Sequence, residues 1–168
     1  MLCSSVSKTL APGYRVGWCI PGKFKEEILK MKLVHTVSSA TPTQAAIAHF
    51  FDTGRYDLHM RNLRKALHTQ CLRYLQAITD YFPEGIHVSN PKGGYVLWIE
   101  LDKKVNSFRL FQSAMEQKIS ISPGQIFSTD ARYSHFIRLS FGIPFSEKID
   151  KSLKILGNLI KKELEGKR

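Results

Sequence analysis

No apolar run in this sequence approaches the roughly 20 residues that a membrane-spanning helix needs. The N-terminus also lacks the basic-then-apolar layout of a secretory signal, because serines follow Met1 almost at once. The expectation is a cytoplasmic protein with no membrane contact. Cysteine is scarce: Cys3, Cys19 and Cys71 form no C-x-x-C pair and no metal-ligand spacing. That excludes a disulfide framework and a zinc module, and reads as reduced thiols serving as small buried hydrophobes. The six histidines do not combine with carboxylates or cysteines at metal spacing. His49, His59 and His68 lie on helical segments at steps of ten and nine, which define no single ligand face, so no metal is expected. There is no internal repeat and no low-complexity stretch.

Acidic residues are also few, 14 against 25 basic ones, for a net charge of +11. Such a balance raises the question of nucleic acid. The basic residues are nevertheless spread along the chain. The densest stretch, Arg61 to Arg73, mixes them with an apolar helical stripe, and Lys161-Lys162 and Lys167-Arg168 read as a solvated helix end, where cations suit the helix dipole. A basic surface near phosphate fits better than a DNA-binding module.

What remains is an ordinary globular composition, 43% hydrophobic and 23% charged over 168 residues. That length holds one sizeable core, or a small domain with part of a second. The apolar run Val16–Ile20 reads as a strand stopped by the Pro21-Gly22 turn. Residues 23–36 read as a helix with Phe24, Ile28, Met31 and Leu33 on its apolar side. Thr41-Pro42-Thr43-Gln44 is a helix start, with Thr41 as cap and Gln44 completing a capping box. A longer helix begins near Tyr56, its apolar face formed by Leu63, Leu67, Cys71, Tyr74 and Ile78, and ends before Pro83. Beyond it strands and helices alternate: strands at Ile86–Ser89, Tyr95–Leu101, Ile119–Ser122 and Phe136–Phe141, and a helix marked by Phe108, Phe111 and Met115. Ser146 caps a final helix facing inward through Ile149, Leu153, Leu156, Ile160 and Leu164. Two helices on one face of a small sheet make an α/β sandwich.

The stretch richest in chemistry is Ser4-Ser5-Val6-Ser7-Lys8-Thr9-Leu10-Ala11-Pro12-Gly13-Tyr14-Arg15-Val16-Gly17-Trp18. It sets one lysine among hydroxyls, then a turn, then one arginine leading into a strand. Hydroxyls and a guanidinium fork suit a phosphate, and a lysine beside them suits a carbonyl ligand.

This stretch resembles the S-x-S-K-x-L-x-P-G-x-R-x-G signature of the fold-type-I aminotransferases, which depend on pyridoxal 5′-phosphate. The resemblance implies that Lys8 holds the cofactor covalently and later shuttles a proton to the substrate carbon. It implies that Ser5 and Ser7 hydrogen-bond the cofactor phosphate, that Arg15 pairs with it bidentately, and that Gly13 and Gly17 keep the backbone close around it. Further along, Pro91-Lys92-Gly93-Gly94-Tyr95-Val96-Leu97-Trp98, Ser122-Pro123-Gly124-Gln125-Ile126-Phe127 and Phe136-Ile137-Arg138-Leu139-Ser140-Phe141 resemble later segments of the same family. There Arg138 is expected to bind the α-carboxylate of an amino acid or 2-oxo acid. A lone arginine in an apolar strand is otherwise costly. A turn glycine and a core aromatic account for Gly94 and Tyr95 without substrate contact.

The resemblance also sets expectations for organisation. The chain is expected to be the C-terminal part of the fold: residues 1–40 from the end of the large cofactor-binding domain, 41–82 interdomain helices, and 83–168 the small C-terminal α/β domain. The family's homodimer is expected of the full-length form. Two readings compete. In the MocR branch of the GntR transcription factors, an aminotransferase-like domain senses its ligand, and DNA is bound only through an N-terminal domain. Lys8–Trp18, Gly54–Arg64 and Ile119–Gly124 resemble that branch closely. The other reading is a stand-alone aminotransferase. In either case the aspartate that the family pairs with the pyridine nitrogen has no counterpart in order here. This chain alone is therefore expected not to transaminate at a useful rate, because the cofactor's electron sink weakens without that carboxylate. A half-reaction with an amino acid and added pyridoxal phosphate measures this; clear single-turnover conversion to the pyridoxamine form would contradict it.

Overall fold

The computed structural model describes residues 1–166. The Lys167-Arg168 part of the expected basic helix end lies outside them. The chain divides into two compact units, Met1–Leu63 and Arg64–Arg168.

The first unit opens with an antiparallel hairpin of β1 (Leu2–Ser5) and β2 (Gly17–Ile20), in register Leu2 to Ile20 through Ser5 to Gly17. Val6, only 1% exposed, anchors its closed end. Its N–H donates to the Val16 carbonyl at 3.2 Å, while its own carbonyl accepts from Thr9 and Leu10. Helix α1 (Lys25–Thr36) and helix α2 (Thr41–Asp52) follow. No residue of α1 is buried, and Phe24, Met31 and Leu33 of its expected apolar side are exposed. In α2 the capping expectation needs correction. Ala40 occupies the cap position, Thr41 is already helical, and no side chain caps this end. Thr43 instead turns its hydroxyl back to the Ala40 carbonyl at 3.1 Å.

Helix α3 (Arg55–Tyr81) begins in the first unit and ends in the second. In the second unit its residues Cys71, Tyr74, Ala77 and Ile78 are buried. They belong to one core with a four-stranded antiparallel sheet: β3 (His87–Val88), β4 (Val96–Glu100), β5 (Ser122–Pro123) and β6 (Phe136–Ser140), in the order β3-β4-β6-β5. The period-two pattern of the strands is carried through. Leu97, Ile99, Ile137 and Leu139 point into the core, while Trp98, Phe136 and Arg138 alternate with them on the other face. Each fully buried Leu or Ile contributes on the order of 1.5–3 kcal/mol. Gly94 enters β4 with φ at +79°, a conformation that favours glycine, and the half-buried Tyr95 packs on the core.

Helix α4 (Ser107–Glu116) is capped by Asn106, whose Oδ1 accepts from the N–H groups of Phe108 and Arg109 at 3.0 and 3.1 Å. Its inward residues are Ser107, Leu110 and Ala114. Of the residues that mark this helix, Phe111 packs against the core, while Phe108 and Met115 are 46% and 47% exposed. Helix α5 (Glu147–Glu165) is capped by Ser146 as expected and buries Leu153, Leu156 and Ile160. Gly157 packs directly on the Tyr81 carbonyl, leaving no room for a Cβ. The sheet thus carries the end of α3 as well as the two helices anticipated.

Tyr81 ties α3 to α5 a second time, donating its hydroxyl to both carboxylate oxygens of Asp150 at 3.0 and 3.1 Å. That hydrogen bond, with a smaller effect of burial and of the neighbouring negative charge, holds the Tyr81 phenol above its ordinary value. A raised folded value means stability that is complete below the unfolded pKa, about 10, and is lost as pH rises through the folded one. The melting temperature is expected to fall more steeply above pH about 10 in the wild type than in Tyr81→Phe, once other tyrosines are allowed for. Parallel alkaline curves for the two proteins in thermal melts would contradict this.

Candidate functional site

In the first unit, the residues singled out for phosphate and carbonyl chemistry gather at the closed end of the hairpin. Ser5 is the last residue of β1, half-buried. Ser7 is half-buried in the following turn, and Lys8 is exposed beside it. A 3-10 turn, Pro12–Tyr14, returns the chain to Arg15. Arg15 sits in the left-handed region at φ +53°, its backbone N–H and one guanidinium nitrogen both directed at the Pro12 carbonyl, at 3.4 and 3.5 Å. Residues 1–25 contain Lys8, Arg15, Lys23 and Lys25 and no carboxylate side chain. This donor set of hydroxyls, amine and guanidinium fits a dianionic phosphate borne on a carbonyl compound.

Two glycines were expected to keep the backbone close. The structure assigns that to Gly17 alone. A Cβ there would meet the Ser4 carbonyl oxygen at 2.8 Å and the Ser5 Cβ at 3.1 Å, whereas nothing lies within 4 Å of one at Gly13.

Arg15 also lines an open hollow of about 320 Å³ with Lys32, Thr36, Ser38, Ser39 and Thr43. The lining again holds cations and hydroxyls and no carboxylate. Ser5, Ser7 and Lys8 are not among its lining residues, so the structure brings Arg15 to this hollow and leaves the lysine outside it.

One participant was not anticipated. His59 reaches the Thr9 carbonyl with Nε2 at 2.7 Å. A carbonyl oxygen only accepts, so Nε2 carries the hydrogen. The Phe50 ring meets the imidazole edge-on, centroids 6.2 Å apart. His59 thus clasps the turn that carries Lys8 from a position 50 residues along the chain. No local pattern signals such a contact.

In the second unit, Arg138 lies in β6 directly opposite Trp98 of β4 and Ser122 of β5. Its guanidinium carbon sits 4.4 Å from the centre of the Phe127 ring. Phe127, Tyr133 and Phe136 surround Trp98 at centroid distances of 5.3–5.4 Å. Among the described residues the carboxylate ion pairs go to Arg109, Arg132 and His135, and none to Arg138. Its guanidinium is instead attracted to the π face of Phe127. Phe127 was named within a motif without a role; its role here is to seat the arginine. Among the described residues no cluster of His, Cys, Asp or Glu suits a metal, and no helix is long and apolar enough to cross a membrane.

The sequence model of the aminotransferase class I and II family matches residues 1–154. The chain belongs to this family. Among relatives, it is 37% identical over 162 residues to YdcR of Escherichia coli (strain K12), named an uncharacterized HTH-type transcriptional regulator, covering 96% of this chain and 35% of that one. It is 29% identical over 164 residues to an uncharacterized aminotransferase, SSO0104 of Saccharolobus solfataricus, covering 96% of this chain and 40% of the relative. The Pyrococcus horikoshii kynurenine aminotransferase, solved in complex with PMP, KYN and KYA, superposes with a TM-score of 0.86 at 27% identity, over 96% of this chain and 40% of that structure. The fold is therefore that of the pyridoxal-phosphate-dependent aminotransferases, and this chain spans between a third and two fifths of the length of the relatives it matches.

Within this aminotransferase-family hairpin, the clasp from His59 is expected to contribute about 0.5–1.5 kcal/mol, the net worth of one such hydrogen bond. His59→Ala should speed amide exchange at Thr9 and Leu10 and leave β4 and β6 unchanged. Unaltered exchange at the Lys8 turn would show that the contact does not support it.

Proposed function

We propose that this chain is the C-terminal part of an aminotransferase-like domain that binds pyridoxal 5′-phosphate and an amino acid or 2-oxo acid, and that serves as the effector-sensing domain of a GntR/MocR-type transcriptional regulator. The observation that carries the cofactor reading is the hairpin end itself. Two hydroxyls and one amine stand where the chain leaves β1 and one guanidinium where it returns to β2, and residues 1–25 hold no carboxylate side chain.

In this reading Lys8 Nζ is the attachment point and, once freed, moves a proton to or from the carbon of the bound amino acid. The Ser5 and Ser7 hydroxyls donate to phosphate oxygens, and Arg15 neutralises the phosphate with its planar fork. Pyridoxal phosphate, when bound, supplies a carbonyl that captures amines and a ring that accepts electron density. Arg138 takes the ligand's carboxylate. Its place among aromatic rings without a carboxylate partner among the described residues leaves it available to an incoming anion. DNA contact comes through a segment outside this sequence, and the full-length form is a homodimer.

The regulator reading is supported by the 37% identity to YdcR. A stand-alone aminotransferase is the alternative, supported by the likeness to SSO0104 and to the Pyrococcus horikoshii enzyme. The coding sequence upstream of Met1 separates them: a winged-helix segment means regulator, its absence enzyme.

The cofactor assignment is tested by adding pyridoxal phosphate, reducing with borohydride and mapping peptides. Label concentrated on Lys8, and lost from that peptide in Lys8→Ala and weakened in Arg15→Ala, is expected. Label spread evenly over the surface lysines would overturn it.

A further inference from the structure

Two of the three cysteines are not the small buried hydrophobes that their spacing suggested. Cys71 is buried, but Cys3 and Cys19 are exposed and stand directly opposite each other in the β1–β2 hairpin. We propose that Cys3 and Cys19 form a dithiol modification site, closed to an intramolecular disulfide by low-molecular-weight disulfides such as oxidised glutathione and reopened by thiols.

The hairpin register carries the case. The Val6 N–H bonds to the Val16 carbonyl, so residues 6 and 16 form a hydrogen-bonded pair. Antiparallel pairs alternate in type. The pairs Ser4–Trp18 and Leu2–Ile20 are therefore also hydrogen-bonded, and Ser5–Gly17 and Cys3–Cys19 are the close, non-hydrogen-bonded kind. In such pairs the Cα atoms lie about 4.5 Å apart, inside the roughly 4.4–6.8 Å that a disulfide spans.

Two observations support that closeness. At the neighbouring pair of the same kind and face, a Cβ on Gly17 would come within 3.1 Å of the Ser5 Cβ. At the cysteines themselves, the neighbouring Cys3 side chain, ahead of desolvation, pushes the Cys19 thiol above its ordinary value. Both sulfurs are exposed, so a reagent can reach either of them first.

The chemistry balances. The Cys3 thiolate attacks one sulfur of glutathione disulfide, forming a mixed disulfide and releasing one glutathione thiolate. Cys19 gives up its proton to that thiolate and attacks the Cys3 sulfur. The Cys3–Cys19 bond forms and the second glutathione leaves, protonated from solvent. Two protein thiols are oxidised by two electrons, and one small disulfide is reduced to two thiols. The four cations and absent carboxylates of residues 1–25 favour approach of an anionic reagent. Exposure of both sulfurs makes the bridge labile, as reversible disulfides in reducing compartments are. Once formed, it fixes the register of the strands that carry Ser5 and lead from Arg15. The site rests on hairpin geometry alone and stands whether or not Lys8 carries a cofactor.

The experiment equilibrates the folded protein in graded mixtures of reduced and oxidised glutathione, then traps free thiols by alkylation and maps the peptides. Free thiols are expected to fall from three to one, with Cys3 joined to Cys19 and Cys71 alkylated only after unfolding, and dithiothreitol restoring all three. In Cys19→Ser, glutathione should accumulate on Cys3 as a stable mixed disulfide that the wild type resolves. The proposal is overturned if all thiols stay free at every ratio. It is equally overturned if the wild type retains glutathione on Cys3 as the variant does, or if bridges to Cys71 or between molecules account for the oxidised thiol.

Discussion

The peptide unit of Val6 is the hinge on which the first unit turns. Its N–H completes the hairpin ladder with Val16, and its carbonyl takes two N–H groups from the turn that carries Lys8. A buried backbone carbonyl left without donors costs free energy comparable to a lost hydrogen bond, so strand pairing and turn geometry are coupled through one residue. Gly17 adds a steric condition, since β2 can lie against Ser4 and Ser5 only where a Cβ is missing. The consequence is chemical. Hydroxyls and amine leave β1 on one side of the turn, and the guanidinium returns on the other.

The second unit solves a different problem. A sheet with one face sealed by α3, α4 and α5 must still place an arginine in a strand of Ile and Leu. It does so by strand alternation, which sends Ile137 and Leu139 inward and Arg138 to the aromatic face. Burial of the positive charge is avoided, and attraction to the Phe127 ring replaces an ion pair.

Much of this was legible in the chain. The strand over Val16–Ile20, the long helix ending before Pro83, the Ser146 cap and the inward face of α5 follow from period, capping chemistry and turn residues, and all are present. The motif around Lys8 correctly placed the chain in the aminotransferase class I and II family. Failures came where size or tertiary contact decides. In α4, Phe108, Phe111 and Met115 mark the helix that is there, but its fully buried residues, Ser107, Leu110 and Ala114, are set by the fit of the packed helix and carry no signal in the sequence. Thr41 is a good cap by chemistry, yet it is already the first helical residue and the cap position falls one residue earlier, on Ala40. Phe127 beneath Arg138, His59 on Thr9 and Cys3 opposite Cys19 all join residues far apart in the chain, and no local pattern encodes such pairs.

If Arg138 takes a carboxylate as proposed, its seating on Phe127 also bears on selectivity. With one face of the guanidinium given to a ring, the side chain has surrendered much of its rotational freedom before any ligand arrives. Its N–H groups radiate in the plane of the group, so a visitor is met along an edge and not from above. Flat anions with two coplanar oxygens match that edge in a single approach, while a tetrahedral one engages fewer donors at a time. In the role proposed for Arg138, a ring that contributes no hydrogen bond of its own would thus help decide which shape of negative charge is welcome.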